Sequence, residues 1–266
     1  MKKMLQNCSI IIPFRHNALR EKILYKVLNF LNKNFDVEIL IAEHDFKKKL
    51  KKIVIEKKYK TKYFFIKSKK EELFDRTGTL NFLIKKSSGK IIFNHDSDCI
   101  IDPSCYLLSK KIIEEKKYDV VIPYSGKGYN VSHEFDIDKK KEADILYLRW
   151  NRARGGIVAI DKDKYIKAGM ENPNIISWGF EDYERLIRFN KLGYKICAND
   201  LHGNITYFKE KFFEDRHLYH FDHDSERNEN SNKNPYYENN KRISEKINMM
   251  SRLELEEEIA KWKNLN

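Results

Sequence analysis

Four clusters of this 266-residue chain carry side chains able to do chemistry. Asn94-His95-Asp96-Ser97-Asp98 places two carboxylates at i and i+2 just past an apolar run, where both reach one cation if the backbone turns. Hard oxygen ligands suit Mg²⁺ or Mn²⁺, which can bridge a diphosphate; a plain strand-to-helix loop with a capping Asp is the competing reading. Trp178-Gly179-Phe180-Glu181-Asp182 opens a helix pattern, preceded by the pair Gly155-Gly156. Acidic residues there suit the helix dipole, but Trp178 and Gly179 are not needed for a cap. An indole can stack on a sugar, and a carboxylate can take a proton from an attacking hydroxyl. His217-Leu218-Tyr219-His220, with His223 behind, gathers three of the eight histidines into seven residues. Imidazoles at i and i+3 can share a metal, and imidazole suits Mn²⁺ or Zn²⁺ better than Mg²⁺, although His-rich tracts also occur merely exposed. The fourth feature pairs Pro13-Phe14-Arg15 with Phe74-Asp75-Arg76: Arg for phosphate, Phe for a base.

These clusters need a frame, and the hydropathy pattern supplies one. Strands are expected at Ser9–Phe14, Val37–Ala42, Lys62–Lys67, Lys90–Asn94, Asp119–Pro123, Gly155–Ile160 and Tyr194–Ala198. Helices are expected from Leu19 to Leu31, along Phe46, Leu50, Ile53 and Val54, over Thr77–Lys86, from Pro103, over Asp163–Ala168 and over Glu181–Asn190. Continuous apolar strands alternating with helices imply an α/β fold with a mostly parallel sheet covered on both faces, its ligands outside the carboxyl ends of the strands. Residues 124–150 lack periodicity and read as a mobile loop. Residues 222–240 are polar and Asn-rich, and one amphipathic helix is expected from Ile243 to about Trp262. No repeat or sharp composition break divides the chain.

Composition narrows the function. Hydrophobic residues at 41% exclude a disordered polymer, and charged residues at 35% exclude a membrane-embedded one. The net charge of +12 and a pI near 9.3 invite nucleic acid, an anionic membrane surface or phosphorylated substrates as partners. Lysines are scattered without a nucleic-acid motif, so no nucleic-acid partner is expected. Cys8, Cys99, Cys105 and Cys197 form no C-x-x-C pair and read as buried free thiols in a reducing cytosol. The N-terminal apolar run is broken by Pro13 and Arg15, too short for a signal peptide. Walker A, dinucleotide-fingerprint, zincin and nucleophile-elbow motifs are absent.

In order, the blocks resemble the β-1,4-galactosyltransferase-like inverting glycosyltransferases of GT-A fold, including bacterial family-2-type enzymes that share the galactosyltransferase C-terminal region. Ile11–Arg15, Phe74-Asp75-Arg76, Asp96-Ser97-Asp98, Gly155-Gly156, Trp178–Asp182 with Arg188 and Gly193, and finally His217 and His220 carry the resemblance across residues 9–225. It departs at Phe180 (for Gly), Asp75 (for Asn) and His217 (for Met).

The resemblance implies a Rossmann-like nucleotide-binding half at 1–120, an acceptor and metal half at 121–225, and a C-terminal helical extension at 226–266, in one domain. It implies metal-dependent transfer of a hexose or N-acetylhexosamine from a UDP-sugar to a saccharide or lipid-linked oligosaccharide, in bacterial surface polysaccharide synthesis. Asp182 would be the general base. Glu181, Trp178, Gly179, Gly155, Gly156 and Arg188 would serve acceptor and donor sugar, and Pro13, Phe14, Arg15, Phe74, Arg76 and Asp96 the nucleotide. Asp98, His217 and His220 would hold Mn²⁺, or Mg²⁺ as second choice; whether His223 replaces either histidine is open. The expected setting is cytoplasmic, with peripheral contact at the inner face of the membrane, and the oligomeric state is open. The alternatives are a nucleotidyltransferase on a related fold and a basic protein that binds membrane surfaces or nucleic acid.

Overall fold

A computed structural model describes residues 3–52, 54–201, 203–223 and 234–262. The chain begins β1 (Lys3–Phe14), α1 (Ala18–Asn34), β2 (Phe35–Asp45), β3 (Lys62–Lys67), α2 (Arg76–Lys86), β4 (Ile91–His95), β5 (Cys99–Ile100), α3 (Pro103–Glu114) and β6 (Val120–Val121). It continues β7 (Gly128–Val131), β8 (Ile145–Trp150), β9 (Ile157–Asp161), α4 (Lys162–Lys167), α5 (Glu181–Lys191), β10 (Ile196–Cys197), β11 (Leu218–Phe221), α6 (Tyr237–Met249) and α7 (Arg252–Trp262).

Seven strands form the main sheet in the order β10-β6-β9-β4-β1-β2-β3, all parallel except β9, which runs against β4 and β6. Ile10, Ile11 and Ile12 are each 0% exposed, so both faces of β1 are covered. Each such side chain contributes about 1.5–3 kcal/mol relative to leaving it in water. Helices α1, α2 and α3 bury the faces their periodicity marks, and each is capped by a side chain: Asn17, Asp75 and Asp102. Asp75 accepts from Gly78 N–H at 2.9 Å, and the Gly matters because a Cβ there would lie 2.1 Å from the Asp75 carboxylate. All four cysteines are free and buried, and burial pushes the Cys8, Cys105 and Cys197 thiols up to about 12.

Three expectations are corrected. The helix along Phe46, Leu50 and Val54 is absent: bends lead into one π-type turn, Val54–Lys58, and Leu50 N–H is tied to the Glu43 carboxylate instead. Residues 124–150 are not one loop. They contain β7 and β8, joined by an irregular segment, which with β5 and β11 make a second sheet in the order β5-β11-β7-β8. The C-terminal helix is two. It breaks at Met250–Ser251, where Ser251 Oγ accepts from Glu254 N–H and the Glu254 carboxylate accepts from Ser251 N–H. That reciprocal Ser-x-x-Glu box starts a new helix and was readable in the sequence. Ile53 and most of the Asn-rich stretch, 224–233, lie outside the described residues.

Candidate active site

Both sheets end at one cleft of about 710 Å³. β1 and β4 deliver their carboxyl ends to it. Because β9 runs the other way, its beginning, Gly155-Gly156, meets the same edge: His95 pairs with Ile157, and Asp96 N–H donates to Gly156 carbonyl oxygen at 2.7 Å. The second sheet closes the site from the side. β5 pairs antiparallel with β11, so Cys99 faces His220 in register and Phe221 N–H donates to Asp98 carbonyl oxygen at 2.9 Å.

That register brings Asp98, His220 and His223 together, with ligand atoms of all three within 4.8 Å of one another. His223 Nε2 lies 3.0 Å from Asp98 Oδ2 and His220 Nε2 lies 3.7 Å from Asp98 Oδ1. Asn130 donates its amide to Asp222 and Tyr147, so its Oδ1 faces His220 Nδ1 at 3.1 Å and accepts that ring's proton. His220 Nε2 then faces the Asp98 carboxylate, an arrangement satisfied by a proton on that ring or by a metal cation between the two groups. His223 Nδ1 is buried with no partner among the described residues. The donor set therefore fits a divalent cation, and the mixture of imidazole and carboxylate suits Mn²⁺. Burial alone would push the Asp98 carboxyl up, but His220 and His223 hold it well below the ordinary range.

His217 is not part of this group. Along β11, Leu218 and His220 share one side and Tyr219 the other, and His217 falls with Tyr219. It packs on the Tyr129 ring at 5.2 Å and bonds Ser125 Oγ at 2.9 Å. His223, three residues beyond His220 and past the end of β11, occupies the expected third position at Asp98.

The opposite wall is acidic and backed by two buried guanidinium groups. Arg76 Nη2 donates to Asp96 Oδ1 at 2.7 Å, with Nη1 3.9 Å from Glu181. Burial opposes its charge, but Asp96, Asp182 and Glu181 hold it protonated. Asp96 itself is raised by burial and by Asp98 and Asp182, against the pull of Arg76. Arg185, 0% exposed, donates to Asp182 Oδ1 at 2.6 Å and to Glu171 Oε1 at 2.7 Å, and Tyr165 O–H donates to that same Glu171 oxygen. The sequence reading missed Arg185, although its spacing of three from Asp182 on a helix was the available signal. Gly155 lets the Asp182 carboxylate lie against the backbone, since a Cβ there would sit 1.9 Å from Asp182 Oδ2.

Several expected residues do stand at the cleft: Pro13, Arg15, Phe74, Arg76, Trp178 and Gly179. Two do not. Phe14 is 1% exposed in the core, because β1 alternates and Pro13 takes the cleft side. Arg188 is 0% exposed behind α5, held by Glu184 and Ala168 carbonyl oxygen and stacked on Trp262. Phe180, where the related motif has Gly, has φ 68°, a left-handed conformation that explains a glycine there; its ring packs on Tyr237 at 5.1 Å. Tyr237 also meets Trp178 at 6.0 Å and lines the cleft, while Asn240 bonds both the N–H and the carbonyl oxygen of Ile176. The C-terminal extension thus contributes to the site.

The family model for glycosyl transferase family 2 matches residues 9–167, from β1 through α4. The chain belongs to this family. A second model, described as the N-terminal domain of galactosyltransferase, matches residues 142–215, which carry β8, Gly155-Gly156 and the Trp178–Asp182 segment. Among solved structures, GalNAc-T7 with UDP, GalNAc and Mn²⁺ superposes with a TM-score of 0.50 at 13% identity, over 81% of this chain and 44% of that one. The likeness shows the GT-A fold, and this family 2 chain spans less than half of that relative. No curated protein matches. Among the described residues, no helix is long and apolar enough to cross a membrane.

Proposed function

We propose that the protein is a metal-dependent inverting glycosyltransferase that moves a hexose or N-acetylhexosamine from a UDP-sugar to a saccharide hydroxyl. One observation carries the reading: a cation site of Asp98, His220 and His223 and a carboxylate held against glycine, Asp182, share one cleft at the carboxyl edge of a GT-A sheet. The relative bound to UDP, GalNAc and Mn²⁺ supports a nucleotide-sugar donor.

In this reading residues 1–120 hold the donor and 121–225 the acceptor and metal. Pro13, Arg15 and Phe74 border the nucleotide, and Arg20, which also lines the cleft and acts on Asp98, adds positive charge near the diphosphate. When bound, Mn²⁺ supplies Lewis-acid neutralisation of the leaving diphosphate. Asp182 takes the proton of the attacking hydroxyl, with Arg185 fixing its second oxygen so that Oδ2 faces the cleft beside Gly155. Glu181, whose carboxylate also accepts from Gly179 N–H, orients the acceptor, and Trp178 forms a wall for a sugar ring. His95, neutral and bonded through Nδ1–H to Asp96 carbonyl oxygen and through Nε2 to Tyr106 O–H, fixes the backbone of the Asp-Ser-Asp loop. A lipid-linked or polysaccharide acceptor at the inner face of a bacterial membrane fits the +12 charge.

The direct test is to incubate the protein with Mn²⁺ and a panel of UDP-sugars and to follow UDP release with and without saccharides. One donor standing out names the sugar. Silence across the panel, or release of pyrophosphate from a nucleoside triphosphate and sugar phosphate, would replace this reading with another.

A further inference from the structure

Arg154 has no part in the reaction as described so far, yet it sits beside its centre. It precedes Gly155, the residue against which Asp182 rests, and its guanidinium lies over the ring of Tyr183, the residue after Asp182, at 4.3 Å. The side chain lines the cleft. Among the described residues its Nε is buried without a hydrogen-bond partner, and no carboxylate comes within ion-pair distance of the guanidinium. The fully buried arginines nearby each have a counter-group: Arg76 has Asp96, Arg185 has Glu171 and Asp182, Arg188 has Glu184. Burial penalises the charge on Arg154, and Asp182 offsets this only through space, with no ion pair between the two, so the guanidinium keeps donors for a further anion. A planar guanidinium stacked on an aromatic face keeps its edge donors for an incoming group, a geometry Lys cannot copy.

We infer that Arg154 seats an anionic substituent, a carboxylate or a phosphate, of one of the two sugar reactants. Transfer by this protein therefore involves an acidic saccharide. The inference rests on the glycosyl-transfer reading above. The anion has two sources, the acceptor or a uronic acid donor, and the shared chemistry is the oxyanion next to the reacting centre.

The test gives the Mn²⁺-supplied protein UDP-glucose, UDP-galactose and UDP-glucuronate, each with neutral oligosaccharides and with their uronate- or phosphate-bearing counterparts. The quantity read is the ratio of kcat/KM for the acidic over the neutral reactant. The wild type is expected to favour the acidic member in one arm, which assigns the anion to donor or acceptor. In Arg154→Gln that ratio falls about 10- to 100-fold, the effect of losing a charged hydrogen bond, and Arg154→Lys keeps part of it. Equal use of acidic and neutral reactants in both arms, or an unchanged ratio in Arg154→Gln, overturns the assignment while leaving sugar transfer intact. No UDP release from any donor would instead remove transfer itself, and this inference with it. Quenching of tryptophan fluorescence by D-glucuronate against D-glucose, on UDP-loaded protein, makes the comparison without turnover. D-glucuronate binding no tighter than D-glucose in the wild type counts against Arg154, and a preference that Arg154→Gln abolishes supports it.

Discussion

Two carboxylates facing the cleft are each backed by a buried arginine, and the two pairs differ in what lies behind them. Arg185 bridges Asp182 to Glu171, whose side chain is 1% exposed, and Glu171 is further held by Tyr165. Arg76 holds Asp96, whose side chain is 26% exposed, and its other nitrogen reaches only to 3.9 Å from Glu181. The cleft carboxylates are equally exposed, Asp182 at 28% and Asp96 at 26%, and both acids behind them are buried; the difference is that Arg185 hydrogen-bonds Glu171 whereas Arg76 stands 3.9 Å from Glu181. A group that takes a proton in one orientation needs fixed geometry, while a loop beside an exchangeable cation and nucleotide needs room to adjust.

Breaking each pair should show the difference. Asp182→Asn is expected to lower kcat for transfer about 10²- to 10⁴-fold with little change in donor KM, measured by product formation; wild-type turnover would remove Asp182 from its role. Arg185→Gln strands Glu171 in the interior and should cost about 3–5 kcal/mol by denaturant unfolding. Acid should reveal the next effect. Burial lowers the pKa of His95 to about 4, so the folded protein keeps it neutral. Its contribution is complete above the unfolded value of about 6.5 and is lost as pH falls from there towards 4, about 3 kcal/mol in all. His44 and His217 are also lowered and act in the same direction. His95→Gln should flatten that slope in unfolding measured across the window. Gly155→Ala pushes the Asp182 carboxylate aside with its chemistry intact, and a fall of about 10²-fold in transfer is expected. Smallest is Arg76→Gln: Asp96 can turn to water and Glu181 keeps its bond from Gly179 N–H, so a smaller stability loss than for Arg185→Gln is expected and the change appears mainly as weaker donor binding. Equal stability losses for the two arginine variants would erase the contrast.

The legibility of the site follows the same division. Strands of the main sheet are buried on both faces and announce themselves as apolar runs, so the positions of Arg15, Asp96, Asp98 and Gly155 at one edge were foreseeable. The second sheet was not, because β8 is an edge strand with Leu146, Tyr147 and Leu148 each nearly half exposed and charges around them. Without β11 as a strand, His217 and His220 at i and i+3 look able to converge, whereas alternation separates them and His223, just past the strand end at Phe221, meets Asp98. Arg188 and Arg185 both follow Asp182 on α5; only the turn of the helix tells which one points back to it. Arg154 gave no periodic signal at all, being a loop residue whose meaning lies in what it lacks.

Phe180 and Tyr237 come from distant parts of the chain, yet neither makes sense alone. A left-handed phenylalanine is an expensive way to enter α5, and the ring of Tyr237 is what it leans on. Tyr237 in turn fills the space over Gly179, where a Cβ would come within 2.8 Å of it. The two positions therefore act as a lock and its key. Through this pair the C-terminal tail braces the entrance to α5 from outside the main sheet, so the rim of the cleft is held by two ends of the chain at once.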